Sequence, residues 1–142
     1  IELLIIGATR ENAYPGVQFI GRVPNNALAK YYQISDFYLF PTLWKEGFGI
    51  VLAEALKCGS YCIASNQGGV PEVLQFGKIG RIVENPNFID EWVAAIEEGI
   101  AVYKQNNYTN PYSKFIDNGL YDMDNWSKEM KMLIEEAKKA LQ

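Results

Sequence analysis

Short apolar runs alternate with segments of helical period along most of the chain. The apolar runs predict strands at 2–6, 17–20, 37–40, 61–64 and 79–83. Between them, apolar side chains recur at spacings of three and four residues, which predicts helices over 25–35, 49–57 and 88–103 and a short helix opened by the turn at 67–72. Such alternation is typical of a parallel sheet. We therefore predict an α/β fold, a Rossmann-like parallel sheet with helices on both faces.

The C-terminal part of the chain is patterned differently. Residues 105–123 are rich in Asn and Tyr and carry an Asn-Gly turn signal at 118–119, so we predict a mostly irregular segment. From Asp124, a candidate cap, apolar side chains again mark one helical face. A chain of 142 residues fits one domain. We therefore predict a single domain over 1–142, of which 105–142 is an irregular segment plus a C-terminal helix.

Composition and charge narrow the range of functions. The chain is 49% hydrophobic and 21% charged, as is ordinary for a soluble domain. Its 13 basic and 17 acidic residues give a net charge of −4 without a basic run, which argues against nucleic acid as a main partner. No apolar run approaches the roughly 18 residues that span a bilayer. The sequence contains no histidine, which removes Ser–His and Cys–His catalysis and the commonest metal ligand.

The two cysteines suit a packing role. Cys58 follows the predicted helix 49–57, and Cys62 lies in the next predicted strand. We interpret them as buried, reduced thiols, since a zinc site would need further ligands that histidine cannot supply here. The sequence therefore predicts neither a bound metal nor a cofactor.

The segment that follows the predicted strand 37–40 is the best candidate for chemistry. Ligands of parallel sheets bind beyond the C-terminal strand ends, and residues 46–54 lie at such an end. Glycines at 47 and 49 allow a tight turn, and the helix after it leaves backbone N–H groups free to bind a diphosphate. A glycine turn that simply begins a helix is the alternative, since this short glycine spacing is weak by itself.

Two carboxylates bracket this turn. Glu46 either complements the helix dipole or hydrogen-bonds sugar hydroxyls beside the diphosphate. Glu54 lies on an almost wholly apolar helix, where a carboxylate is costly unless it is paired or faces solvent. It either pairs with Lys57, faces solvent, or accepts hydrogen bonds from the vicinal diol of a ribose. A nucleotide sugar has a phosphate centre and hydroxyl-rich ends, and it would suit both carboxylates.

Two further segments lie near predicted strand ends. Arg22 follows the strand 17–20 and is either a contact to a base or phosphate or a solvated loop residue. The turn at Gly68-Gly69, with Glu72 after it, either forms a second wall of the site or is a turn alone.

Seven sequence blocks together resemble a known family. They include Glu-Gly-Phe-Gly followed by Glu54, and Gly-Gly-Val-Pro-Glu further on. The blocks occupy residues 3–7, 17–23, 28–32, 35–41, 46–54, 58–65 and 68–72. In this order, up to about residue 104, the chain resembles the C-terminal, donor-binding domain of retaining glycosyltransferases of the GT-B fold, family 4, the group 1 glycosyltransferases.

The resemblance implies roles for the matching positions. Glu46 looks like the catalytic carboxylate that holds the donor sugar, and Glu54 like the ribose ligand. The segment 21–23 looks like the loop that lines the base, and the turn with the first helical residues looks like the diphosphate site. The implied substrate-binding residues are Gly21, Arg22, Val23, Gly47, Phe48, Gly49, Ile50, Val51 and Glu54. The implied reaction is glycosyl transfer with retention, without a metal, from a nucleotide-diphosphate sugar to a polysaccharide, glycolipid or glycoconjugate.

One departure from the family pattern concerns basic residues. The family has an Arg and a Lys that contact the diphosphate from upstream, and neither Lys30 nor Lys45 matches that placement. The chain also begins at Ile1, inside a strand-like run. We therefore expect a fragment that lacks an N-terminal acceptor domain and is inert by itself.

The expected surroundings of the protein follow from the resemblance. We expect a cytoplasmic location, or one at the inner face of the membrane. Any membrane contact should be made through the expected N-terminal acceptor domain. The expected partners are a nucleotide sugar and that acceptor domain. The expected donor is a UDP-sugar, and donors that carry guanosine or adenosine are left open.

Two alternative functions are left open as well. One is a non-catalytic module that senses a nucleotide sugar or scaffolds an assembly, and the other is half of a sugar-nucleotide epimerase of the same fold.

Overall fold

The computed structural model describes residues 1–10, 14–117 and 119–140. Its strands are β1 Leu3–Ile6, β2 Val17–Gly21, β3 Phe37–Phe40, β4 Tyr61–Ser65 and β5 Arg81–Val83. Its helices are α1 Asn25–Ile34, α2 Ile50–Lys57, α3 Val70–Val73, α4 Ile89–Gln105, α5 Ser113–Asp117 and α6 Met123–Ala140. Strands and helices alternate from β2 to α4, in agreement with the prediction.

The strands form parallel ladders, which confirms the predicted α/β class. β1 pairs with β2, and β3, β4 and β5 pair in that order. Within the described residues the ladder is interrupted between β1 and β3, so the expected sheet is divided into a two-stranded and a three-stranded part. The prediction of parallel pairing was right, and the division was not foreseen.

Strand β4 lies at the centre of two hydrophobic cores. All five of its residues are buried. Since successive side chains of a strand point to opposite faces, Cys62 and Ala64 join the core formed with α2 and α3. Tyr61 and Ile63 instead join Ala95 of α4 on the other face. This arrangement confirms the prediction of helices on both faces and explains why the strand reads as a continuous apolar run.

Three local features add detail to the predictions. The segment 105–123 contains α5, a helix too short to be stable alone, which is held because Tyr112 and Ile116 pack on the core. The last helix begins at Met123, one residue before the proposed cap. On α1, the apolar side chain of Ile34 is 70% exposed, because it lies about 200° round the helix from the buried Tyr32. Residue 118 of the predicted turn lies outside the described residues.

Helix α6 carries an apolar stripe that is largely exposed. Five of its large apolar side chains are at least half exposed: Met123, Trp126, Met132, Leu133 and Ile134. Among the described residues, no helix combines the length and apolarity that a membrane crossing requires.

Candidate functional site

The chain that leaves β3 is fixed by a buried serine of the neighbouring strand. The hydroxyl of Ser65 lies 2.6 Å from the carbonyl oxygen of Thr42 and 3.2 Å from that of Phe40. The Thr42 hydroxyl accepts a hydrogen bond from the N–H of Trp44 at 3.2 Å and lies 3.4 Å from Oε1 of Glu46. The C-terminal ends of β3 and β4 therefore set the path of the loop that carries Glu46.

A pair of glycines packs closely on the main chain of the turn and forms hydrogen bonds with it. The N–H of Gly69 donates to the carbonyl oxygen of Glu46 at 2.8 Å, and Gly68 forms a parallel bridge with Glu46. A Cβ atom at Gly68 would overlap the carbonyl oxygen of Glu46, and one at Gly69 would overlap that of Gly47. The turn and the Gly68-Gly69 segment can approach this closely only because neither glycine has a side chain.

The first residues of α2 present unpaired donors. Gly49 has φ 83° and ψ 58°, a left-handed conformation that favours glycine, and its carbonyl oxygen accepts from the N–H of Leu52 at 2.9 Å. Within the described part of the chain, the N–H groups of Gly49, Ile50 and Val51 donate to no acceptor. The first turn of α2 contains no acidic side chain. These donors and the helix dipole together favour an anion at this point.

The donors and the first carboxylate share one cavity. The cavity measures about 430 Å³ and is lined by Phe40, Glu46, Phe48, Gly49, Ile50 and Val51. Five of these six residues were predicted from the sequence to bind substrate or act on it. The half-buried Glu46 therefore faces the same space as the helix N-terminus. Whether these residues bind a ligand stays a prediction.

The second carboxylate lies outside the wall of this cavity. Glu54 is exposed, and the described residues contain one ion pair, Arg81 with Glu98, so the proposed pair with Lys57 does not form. Burial, and secondly the nearby charge of Glu54, raise the pKa of Tyr32 and of Cys58. Glu54 therefore lies on the side of α2 that faces α1, one turn beyond the cavity.

The predicted base-lining loop belongs to the other ladder. Gly21 is buried and exchanges backbone hydrogen bonds with the end of β1, accepting from Gly7 at 2.7 Å and donating to Ala8 at 3.2 Å. Arg22 is exposed and Val23 is half-buried. The structure does not bring these three residues into the wall of the cavity around Glu46, and their role stays a prediction.

Sequence reasoning missed two residues at this site. Phe40 was read only as a strand residue, yet it lines the cavity. Thr42 was given no role, yet its hydroxyl is within hydrogen-bonding distance of the carboxylate. A hydroxyl residue directly after the strand's Phe-Pro ending was the available signal. Among the described residues, no three or more Cys, Asp or Glu side chains are grouped to hold a metal ion.

Comparison with known proteins places this geometry in context. The family described as "Glycosyl transferases group 1" matches residues 6–115. The chain is 43% identical over 68 residues to N-acetyl-alpha-D-glucosaminyl L-malate synthase of Bacillus anthracis, which covers 48% of this chain and 17% of that protein. It is 29% identical over 116 residues to a phosphatidyl-myo-inositol mannosyltransferase of Mycobacterium tuberculosis, covering 75% and 30% respectively. It is 32% identical over 97 residues to O-antigen chain mannosyltransferase B of Escherichia coli, covering 68% and 24%.

The fold has a counterpart among solved structures. Sucrose-phosphate synthase from Thermosynechococcus elongatus superposes with a TM-score of 0.69 and 23% identity, over 98% of this chain and 39% of that one. This likeness concerns the fold alone and agrees with the predicted half of a GT-B architecture. The chain spans 17–30% of the length of the three curated relatives named above. Because the family match extends over residues 6–115, well over half of the chain, the protein belongs to the group 1 glycosyl transferases.

Proposed function

We propose that this chain is the donor-binding domain of a retaining, metal-independent glycosyltransferase of polysaccharide, glycolipid or glycoconjugate synthesis. One observation carries the proposal. The carboxylate of Glu46 and the unpaired N–H groups at the start of α2 line one cavity of about 430 Å³. A nucleotide-diphosphate sugar offers a matching pair of groups, an anionic diphosphate and a hydroxyl-bearing ring next to it.

The proposed chemistry at this cavity is electrostatic. As the bond between sugar and diphosphate breaks, negative charge grows on the departing phosphate oxygens. Fixed N–H donors and the positive end of α2 would stabilise that charge more than they stabilise the bound donor. Glu46 would accept hydrogen bonds from sugar hydroxyls and hold the ring against the helix N-terminus. Both effects depend on the rigid main chain that Gly68 and Gly69 grip.

The names of the relatives support the proposed range of products. Two are mannosyltransferases, one acting on phosphatidyl-myo-inositol and one on the O-antigen chain. The third is a synthase that joins an N-acetylglucosaminyl group to malate. Since these proteins are nearly three times as long as the chain, we expect the acceptor to bind a separate domain of the same protein. We expect no sugar transfer by residues 1–142 alone, and measurable transfer would refute this.

We assign the outer parts of the donor to the two remaining segments. Glu54 would accept from the ribose hydroxyls, and the loop of Gly21, Arg22 and Val23 would line the base. The exposed position of Glu54 leaves its carboxylate free to accept such hydrogen bonds. We further propose a cytoplasmic location, with any membrane contact made outside this domain.

The proposal can be tested by amide NMR titration of the chain with UDP, GDP and ADP and with one common sugar conjugate of each. We expect saturable shifts at Phe48–Val51 for one of the three bases. Glu46→Gln should lower the affinity for the sugar conjugate and leave the affinity for the nucleoside diphosphate unchanged, because Glu46 is assigned to the sugar alone. Glu54→Gln should lower the affinity for both ligands.

A matched control is Glu97→Gln, an exposed carboxylate on α4 away from the cavity, which should change neither affinity. Shifts that avoid Phe48–Val51, or an equal response to Glu97→Gln and Glu46→Gln, would contradict the assignment. An absence of shifts with every nucleotide at millimolar concentration would count against nucleotide binding by this domain.

A further inference from the structure

Phe48 forms part of the wall of two neighbouring cavities. One is the cavity around Glu46 described above. The other measures about 690 Å³ and lies between the turn, α5 and the start of α6. Its wall includes Gln75, Phe115 and Trp126 as well as Phe48. The turn of the proposed diphosphate site therefore has a second side, and that side is built from the C-terminal part of the chain.

One C-terminal residue touches this turn directly. The ring of Tyr121 packs edge-to-face on the ring of Phe48, with centroids 5.5 Å apart and an angle of 81°. The hydroxyl of Tyr121 donates to the carbonyl oxygen of Val73 at 2.6 Å, with that of Glu72 at 3.3 Å. Burial, and secondly the charge of Glu72, raise the pKa of Tyr121. A phenol is protonated at neutral pH even without this shift, so the hydroxyl acts as the donor.

One contact of Tyr121 is with the turn itself, and the other is with the helix α3 that packs behind the turn. Glu72 and Val73 end α3, the short helix that follows directly after Gly69, which grips the main chain of Glu46. Phe48 lies within the turn itself, next to the unpaired N–H of Gly49. Tyr121 thus joins the element behind the turn to a side chain on it.

The backbone at Tyr121 is held in an unfavourable conformation. Its φ is 57°, in the left-handed region that residues with a Cβ atom rarely adopt. The segment is tied down locally, because the carbonyl oxygen of Gly119 accepts from the N–H of Asp122 at 3.0 Å and from the side-chain amide of Asn125 at 3.1 Å. Such strain persists where surrounding contacts over-determine it, and it is enriched at functional sites.

We propose that Tyr121 is a positioning residue of the donor site, which fixes Phe48 and the end of α3 and thereby couples the segment 119–122 to the diphosphate-binding turn. The inference rests on the proposed function for its meaning. Helix α6 begins two residues later, at Met123, so a displacement of α6 would reach the turn through Tyr121.

The test compares two tyrosines with the same backbone conformation. Tyr108 also has φ 57° and also packs edge-to-face on an aromatic ring, that of Tyr103 at 6.2 Å, but it lies away from the turn. Tyr121→Leu should shift the amide resonances of Phe48–Val51 in the free chain. It should also lower the affinity for UDP, or for whichever nucleoside diphosphate binds, by about two- to tenfold. This factor corresponds to the free energy of one aromatic pair. Tyr108→Leu should do neither.

A second variant keeps the proposal testable if Tyr121→Leu does not fold. Tyr121→Phe keeps the ring and loses the hydroxyl, and it should shift the amides of Glu72 and Val73 and, to a smaller extent, that of Gly49. Combining Phe48→Leu with Tyr121→Leu should give less than the sum of the two losses in affinity, because both remove one contact. A purely structural role would lower thermal stability but leave the nucleotide affinity of Tyr121→Leu, and the Gly49 amide shift of the ring-keeping Tyr121→Phe, at their wild-type values.

The two proposals fail separately. A wild-type chain that binds no nucleotide would overturn the proposed function, while the Gly49 amide shift of free Tyr121→Phe, which keeps the ring, would still decide whether Tyr121 positions the turn. A chain that binds nucleotide, with the affinities of Tyr121→Leu and Tyr108→Leu equal to that of wild type and the Gly49 amide shift of Tyr121→Phe unchanged, would overturn the positioning role alone.

Discussion

Replacing Gly69 with alanine tests whether close packing of the glycine pair shapes the site. A Cβ atom at Gly69 would overlap the carbonyl oxygen of Gly47, which is main chain and cannot turn aside as a flexible side chain would. The φ of Gly69 is −82°, which alanine adopts without strain, so any destabilisation comes from the overlap. Overpacking of this kind costs about 1–3 kcal/mol, because the backbone has to shift.

The expected change in melting temperature follows from the size of the chain. An unfolding entropy of about 2.1 cal/mol/K per residue, taken over 142 residues, gives about 0.3 kcal/mol/K. Gly69→Ala should therefore lower the melting temperature by about 3–10 °C in calorimetry or thermal circular dichroism. The N–H of residue 69 should also lose part of its hydrogen bond to Glu46, which amide exchange would detect.

Gly47→Ala is the matched control within the same turn. A Cβ atom there meets nothing within 4 Å, and Gly47 has no positive φ. Both substitutions reduce the conformational entropy of the unfolded chain by the same amount, so this effect cancels in the comparison. Gly47→Ala should leave stability unchanged or raise it by up to about 1 kcal/mol. Equal melting temperatures for the two variants would refute the packing explanation.

Three further predictions concern two buried side chains and one exposed hydrogen-bonded pair. Ser65→Ala should destabilise the fold by about 1–2 kcal/mol in urea denaturation, because the carbonyl oxygen of Thr42 loses its 2.6 Å partner. Hydrogen bonds from the N–H and side-chain amide of Asn85 lower the pKa of Glu91, so they stabilise the fold above the unfolded pKa of roughly 4.3 and lose this effect as pH falls through the folded value. Asn85→Ala should therefore be less stable than wild type at pH 7, with the difference shrinking below about pH 4. Burial raises the pKa of Cys62, so its thiol should react with Ellman's reagent only when the chain unfolds.

Each of these has a control in the chain. Ser113 and Asn87 are exposed, and their alanine variants should match wild type in the first two experiments. Partly exposed Cys58, whose pKa is raised mainly by burial, should react slowly in the folded chain. A pH-independent loss for Asn85→Ala, or fast modification of both thiols in native buffer, would contradict the respective explanations.

The sequence was sufficient to predict the elements whose signals are local. Strand β4 is a continuous apolar run, and the bounds of α2 follow from Gly49 before it and Gly59 after it, whose φ of 98° suits the residue that ends a helix. The residues around Glu46 were placed on one cavity because parallel strands bring their C-terminal ends to one edge.

Other features depend on contacts that no local pattern encodes. The position of Thr42 beside Glu46 depends on Ser65, 23 residues further on, which accounts for why it was missed. Tyr121 reaches Val73 across 48 residues, and the helix α5 exists because Ile116 finds a place on the core. Sequence spacing cannot report such distances, since only the packed chain brings these groups together.

The division of the sheet gives the two halves of the proposed site unequal local stability. No side chain of β1 is buried in the described structure, whereas β4 is buried throughout. The end of β2 carries the segment assigned to the base, and the end of β3 leads to the turn assigned to the diphosphate. Amide protons of β1 and β2 should therefore exchange with solvent through local openings of low free energy, while those of β4 should exchange only through global unfolding. A nucleotide that bridges both halves would have to order the less stable β1–β2 half as it binds. The free energy of that ordering would lower the observed affinity.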